Sequence, residues 1–398
     1  MKKYLLATTS LILLLFWPIQ AQEIAVPAEP RATNPERFNT ISETNYLTTL
    51  ALRGLSLDTQ GILVESLDGS TIFADHQSNV AFNPASVIKV GTSFAALNQW
   101  GPDYRFETAF FTYGTVNKKT KTLTGDLILH TTGDPLLTST DVTKLIRQVI
   151  KAGITRVTGN LAVDGPFSFG AYYNTERAVK RLVVVLRSMG LSVKGPVKNV
   201  ASSEVQGTRV ATHTSTSLRE ILFFQNAHSS NPTAERVGEA LGGPKAVESF
   251  LVNAVGIPQS DVFVSRTSGL DFNRITPKGT VQLFRQLISW LERHQLEPQD
   301  ILPVAGVDPG TLHTRFTSQD YRGAIVGKTG TLPGTDGGVS TIAGLAYTVQ
   351  RGPILFAIFN TRGNVNTFRK LQDELVKDLI VELGGMPDIS ASSRKSNN

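Results

Sequence analysis

The hydrophobic period of the chain changes along its length, and no other sequence feature limits the possible folds as much. Ile62 to Leu67 and Ser70 to Ala74 have strand character and flank Asp68-Gly69, a dipeptide that supplies the positive φ of a two-residue hairpin turn. From 175 onwards the spacing is helical, over 175–189, 233–241, 246–255 and 277–294. Ala324 to Val326, Val339 to Val349 and Ile354 to Phe359 return to strand character. Phe368, Leu371, Leu375, Leu379 and Leu383 then mark a last helix that stops at Gly384-Gly385. Strands near both ends with helices between them predict one antiparallel sheet built from the two ends of the chain and covered by helices, with a helical half beside it. The expected class is α+β.

The stretch 102–170 has its own pattern. Leu127 to Leu129 and Leu161 to Val163 are strand-like, while Val142, Leu145, Ile146, Val149 and Ile150 share one face of a helix with Thr140 as the expected cap. It reads as a small α+β domain inserted into a larger unit made of 41–101 and 171–385. Residues 22–40, polar and containing Pro27, Pro30 and Pro35, are expected to be a flexible linker, and 386–398 a disordered tail. Lys2-Lys3, an apolar run from Tyr4 to Trp17, the helix breaker Pro18 and a small residue at Ala21 give 1–21 the form of a secretory signal peptide. Whether it is cut at Ala21 or kept as an anchor is open at this point. The run is shorter than a bilayer span, and no later segment is apolar enough to be one. The expected location is periplasmic or otherwise extracytoplasmic.

Composition narrows the chemistry. With 40% hydrophobic and 18% charged residues over 398 positions, the chain can bury a sizeable core. It has no cysteine, which excludes disulfides, thiolate–zinc sites and a thiol nucleophile. The net charge of +6 is spread out, with no basic run longer than Lys118-Lys119, which argues against nucleic acid as a partner. The six histidines (His76, His130, His213, His228, His294, His313) lack zincin spacing, so no catalytic metal is expected. His228 is read as a loop histidine bonded to backbone. No Gly-x-Ser-x-Gly elbow, Walker loop or dinucleotide fingerprint is present. A serine enzyme activated by something other than histidine remains.

Three short motifs fit that description. Ser86-Val87-Ile88-Lys89 lies where a helix is expected to begin behind Asn83-Pro84, and its i, i+3 spacing puts the hydroxyl and the amine on one face. Ser229-Ser230-Asn231 falls in an interhelical loop, where it can supply a hydroxyl and an amide or simply cap the next helix. Lys328-Thr329-Gly330-Thr331 follows a strand, and its side chains suit a carboxylate while its glycine permits close backbone approach. Each is weak alone: Ser392 to Lys395 and Ser396 to Asn398 repeat the first two in the tail. Their order is specific, and it is the set found in penicillin-binding proteins and class A β-lactamases.

From about 45 to 385 the chain resembles the D-alanyl-D-alanine carboxypeptidase/endopeptidase family, the class C low-molecular-mass penicillin-binding proteins. The likeness rests on the three motifs together with Phe82 to Ala85, Gly133-Asp134-Pro135, Gly159 to Asp164, Ala234-Glu235, Ser268-Gly269-Leu270 and Leu302 to Asp308. It departs from the family in the segment between Ser86 and Ser229, which is short and has room for one inserted domain rather than two. That bears on substrate positioning and on any endopeptidase preference.

The resemblance implies a penicillin-binding/β-lactamase-like transpeptidase fold and acyl transfer without a cofactor. Ser86 would attack a D-Ala-D-Ala bond of a peptidoglycan stem peptide, with Lys89 as base and Ser229 relaying a proton to the leaving amine. Asn231 would orient the substrate. Lys328, Thr329 and Thr331 would hold its terminal carboxylate beside Gly330, and the N–H groups of Ser86 and Thr331 would form the oxyanion hole. β-Lactam antibiotics would act as acylating inhibitors. A terminal D-Ala-D-Ala and a cross-link present the same acyl group, so the sequence leaves that choice and the oligomeric state open. Two alternatives remain, a β-lactamase, for which the Glu-x-x-x-Asn spacing is missing between Asn231 and Lys328, and a non-catalytic cell-wall peptide binder.

Overall fold

Asp68-Gly69 turns the chain between two strands, and from this hairpin the main sheet is built. The computed structural model describes residues 35–171, 173–201 and 207–387. β1 is Glu36–Arg37, and helix α1 (Ile41–Leu52) precedes the hairpin β2 (Gln60–Ser66) and β3 (Thr71–His76). From the far end of the chain come β13 (Ile325–Leu332), β14 (Val339–Thr348) and β15 (Gly352–Thr361), and the six strands order as β1-β3-β2-β15-β14-β13. Ile62 pairs with Ile358, with most of the chain lying between them. The sheet is antiparallel apart from the short β1–β3 contact.

Strand alternation divides the interior into two cores. Ile62, Val64, Ile342, Ile354, Phe356 and Ile358 face the final helix α9 (Val365–Glu382) and α1, packing on Phe368, Leu371, Leu375 and Tyr46. Burying a side chain such as Phe368, which is fully enclosed, contributes about 1.5–3 kcal/mol. On the opposite face Leu63, Ala343, Leu345, Leu355, Ala357 and Phe359 pack on the helical half, chiefly α2 (Lys89–Trp100) and α8 (Pro277–Arg293). α5 (Leu218–Ala227), α6 (Asn231–Ala240) and α7 (Pro244–Asn253) complete that half, and β11 (Val262–Phe263) and β12 (Arg274–Ile275) form a small ribbon.

A second sheet is separate from the first. β4 (Glu107–Asn117) and β5 (Thr122–Thr131) form its long hairpin, and β10 (Thr208–Thr214) adds along β4. β6 (Arg156–Val157) and β7 (Leu161–Asp164) pair parallel with β5, followed outward by β8 (Ser192–Val193) and β9 (Val197–Asn199). Helices α3 (Ser139–Lys151) and α4 (Thr175–Ser188) share one core with it through Val142, Leu145, Ile146, Val149, Ala178, Leu182 and Leu186. The inserted unit therefore runs to Thr214 and does not end at 170, because the apolar residues of α4, β8 and β10 pack into this core and not the main one, while β9 pairs along β7. Its two ends meet at Phe106 and Ser215, where the Ser215 N–H donates to the Phe106 carbonyl and the Phe106 N–H donates to Ser215 Oγ, each at 2.9 Å.

Three smaller expectations change as well. Thr138, not Thr140, caps α3, in a reciprocal box with Asp141. The expected linker 22–40 is too long: Glu36–Arg37 pair with Thr71–Ile72, and Thr40 caps α1. At the other end Met386 packs against the α9 core, within the stretch assigned to the tail. The signal segment, the remainder of the linker and the tail beyond 387 lie outside the described residues.

Candidate active site

Ser86 stands on a turn that its neighbours hold in an uncommon shape. Asn83 Oδ1 accepts the Ala85 N–H at 3.0 Å, and Asn83 Nδ2 donates to the carbonyl of Asp271 at 2.8 Å. Ala85 takes a positive φ of 46°, a conformation that costs a non-glycine residue about 1–3 kcal/mol. The surroundings enforce it. Thr341 on β14 donates to the Pro84 carbonyl at 2.8 Å, and Gly269 lies so close that a Cβ there would sit 2.0 Å from the Ala85 oxygen. One 3-10 turn, Ala85–Ile88, then leads into α2 and brings Lys89 Nζ to 2.8 Å from Ser86 Oγ.

Lys89 is fully buried and meets three oxygens: Ser86 Oγ, Asn231 Oδ1 at 2.7 Å and the Ser268 carbonyl. Burial lowers it from the ordinary lysine value to about 7, opposed by the charge of Glu235. Near neutrality a large fraction is thus free amine. As an amine it has two protons for the fixed acceptors, Asn231 and Ser268, which leaves its lone pair directed at Ser86. Glu235 sits behind this arrangement, accepting from Ser268 Oγ at 2.5 Å and Arg266 Nε at 3.1 Å.

The second motif is pinned to the same helix. One turn beyond Lys89, Ser93 Oγ accepts from Gln225 Nε2 at 2.9 Å and Asn226 Nδ2 at 3.0 Å, the last polar side chains of α5 before the loop. In that loop Ser229 has φ 53°, and Ser230 caps α6 through Thr233, which places Asn231 in the helix's first turn. The His228 ring lies tilted against Phe224 at 4.9 Å between centroids, and its backbone N–H donates to the Phe224 carbonyl as α5 ends.

The third motif lies on β13, the edge of the main sheet. Gly330 packs against the Ser86 turn: a Cβ there would be 2.6 Å from the Pro84 oxygen and 2.8 Å from Ala85 Cβ. Lys328 is fully buried and points inward, donating to Ser229 Oγ at 2.9 Å and to the Thr329 carbonyl at 2.7 Å. Burial, and then the charge of Lys89, hold it well below the usual lysine value. Thr329 Oγ1 bonds Thr311 Oγ1 at 2.8 Å, and Thr331 Oγ1 accepts from Arg369 at 2.8 Å.

The structure thus joins Ser86, Lys89 and Asn231 in one hydrogen-bonded group and Ser229 with Lys328 in a second, and the two lysines are close enough to repel. Glu235, Ser268, Gln225, Thr311 and Arg369 were not given roles from the sequence. Glu235 and Ser268 lay in family-like segments that could have signalled them; the others carry no local signal. Among the described residues no cluster of three or more His, Asp or Glu could hold a metal ion, and no helix is long and apolar enough to cross a membrane.

Residues 47–174 and 167–379 match the D-Ala-D-Ala carboxypeptidase 3 (S13) family. A D-alanyl-D-alanine carboxypeptidase of Haemophilus influenzae is 32% identical over 104 residues, covering 26% of this chain and 21% of its own. Another, from Actinomadura sp. (strain R39), is 29% identical over 231 residues, covering 53% and 40%. The matches thus span less than half the length of these relatives. Among solved structures, penicillin binding protein 4 of H. influenzae, complexed with a β-lactam, aligns with a TM-score of 0.68 at 22% identity, over 81% of this chain and 96% of the other. A predatory endopeptidase from Bdellovibrio bacteriovorus aligns at 0.67 and 21%, over 82% and 93%. These likenesses establish the fold.

Proposed function

Since the chain belongs to the D-Ala-D-Ala carboxypeptidase 3 (S13) family, we propose that it is a serine D-Ala-D-Ala carboxypeptidase that trims peptidoglycan stem peptides through an acyl-enzyme on Ser86. The observation that carries this reading is Lys89: a buried amine, lowered to about 7, in contact with the Ser86 hydroxyl and with two other acceptors that fix its orientation. A peptide-binding module has no use for such a pair.

Lys89 takes the Ser86 proton as Oγ attacks the carbonyl of the penultimate D-alanine. The oxyanion is received by the N–H groups of Ser86 and Thr331, a device worth about 2.7–4 kcal/mol per donor; Gly330 makes it feasible by letting β13 approach the Ser86 turn. Ser229, bonded to Lys328, passes a proton to the departing D-alanine amine. Asn231 both positions Lys89 and orients the substrate amide, and Thr329 and Thr331 offer hydroxyls to the terminal carboxylate. Water, activated by Lys89, then releases the shortened peptide. The proposed place of action is extracytoplasmic, where peptidoglycan lies, in keeping with the N-terminal signal pattern.

Intact-mass measurement with benzylpenicillin tests the reading, alongside release of D-alanine from a stem peptide. A lasting adduct and D-alanine release are expected for the wild type and neither for Ser86→Ala. Unmodified protein with consumed drug would instead make the chain a β-lactamase, and unmodified protein with intact drug a binder.

A further inference from the structure

The carboxylate expected to dock beside β13 needs a positive charge, and Lys328 is poorly placed to supply it. Its ammonium nitrogen is enclosed, turned to Ser229 Oγ and the Thr329 carbonyl, and burial disfavours its charged form. Arg369, in the second turn of α9, is exposed and reaches across to the same strand. Its guanidinium makes one hydrogen bond among the described residues, to Thr331 Oγ1 at 2.8 Å, and pairs with no carboxylate there. Arg315, whose guanidinium also donates to the Arg369 carbonyl, is already committed to Asp373.

The bond to Thr331 has a second effect. A hydroxyl that accepts from a guanidinium keeps its own proton free to donate. Arg369 therefore supplies a cation and turns Thr331 into a donor, and its unused N–H groups match the planar two-oxygen geometry of a carboxylate. From this arrangement we infer that Arg369 is the specificity-determining cation for the free carboxylate of the substrate, whether the terminal carboxylate of a peptide or the ring carboxylate of a penicillin. The inference rests on the Ser86 acyl-enzyme reading and extends it to a residue outside the three motifs.

The test compares acylation of the full chain by benzylpenicillin and by its methyl ester, followed by intact mass, for wild type, Arg369→Gln and Arg369→Lys. The rate ratio of free acid to ester is expected to fall at least tenfold in Arg369→Gln and to recover in part in Arg369→Lys. A merely structural role, acting through α9, would change both rates alike; an unchanged ratio overturns the inference. So does a wild type that is acylated without preferring the free acid, and in that case the function stands. A wild type acylated by neither compound removes the acyl-enzyme reading and this inference with it.

Discussion

The proposed role of Lys89 as base requires a neutral amine, and enclosure favours one, with one opposing charge, Glu235, that keeps the value near 7. The sign of the pH dependence follows. Below about 7 the amine takes up a proton and loses the lone pair that Ser86 requires, so acylation by benzylpenicillin should fall about tenfold per pH unit on the acid side. Glu235→Gln keeps an acceptor for Ser268 but removes the charge that raises Lys89. The acid limb should then move to lower pH by up to about one unit, measured as acylation rate against pH. A limb that stays in place or moves upward would mean that Glu235 does not act on Lys89 through charge. At this scale the grouping of Ser86, Lys89 and Asn231 was legible in the sequence because their motifs are local and their order is fixed. Thr311 and Arg369 were not, since each reaches the site from a distant element, whereas Glu235, one turn beyond Asn231 on α6, lay in a segment that could have signalled it.

Elements owe their positions to close approach more than to propensity. Gly269 shows it: φ is +86°, and an added Cβ would lie 2.0 Å from the Ala85 oxygen and 2.9 Å from the Ser86 nitrogen. Gly269→Ala should cost at least about 1–3 kcal/mol from backbone strain alone. It should also slow acylation, because the turn must yield; thermal unfolding and adduct formation measure the two effects. The buried pair Arg285–Glu65, linking α8 to β2, offers a contrast. Arg285→Met would leave the enclosed Glu65 carboxylate without this cation, a loss of about 3–5 kcal/mol by denaturant titration. Long elements with regular apolar spacing, such as α8 and α9, were legible almost to their ends. α1 was not, because its sequence is rich in threonine and buries few apolar side chains. β10 was missed for a related reason: of its seven residues only Ala211 is buried.

Across the whole molecule, the inserted unit has its own core and leaves and returns through adjacent strands at Phe106 and Ser215. Arg236 on α6 fastens it near the site, donating to the carbonyls of Pro135 and Gly170 while its guanidinium lies 4.8 Å above the Tyr173 ring. Replacing residues 107–214 with a short glycine linker should leave a unit that, on the proposed mechanism, benzylpenicillin still acylates within about tenfold of the full chain, since its site groups all lie outside the excised stretch. Loss of the adduct in a folded product would show that the insertion shapes the site. The sequence indicated an insertion but ended it too early, because its last strands are short or polar and give little periodic signal.

The pairing of Ile62 with Ile358 also governs the order of events in time. A two-stranded hairpin is marginal on its own, so β2 and β3 have little to hold them until β15 has been made, and contacts so remote in sequence form slowly. The main sheet of a chain emerging N-terminus first must therefore wait through most of the chain's length, and it gains β13, with Lys328, only within the last stretch. Loss of even the final strands would leave Ser86 and Lys89 without the strand that carries Lys328 and Gly330, and so with no site around them.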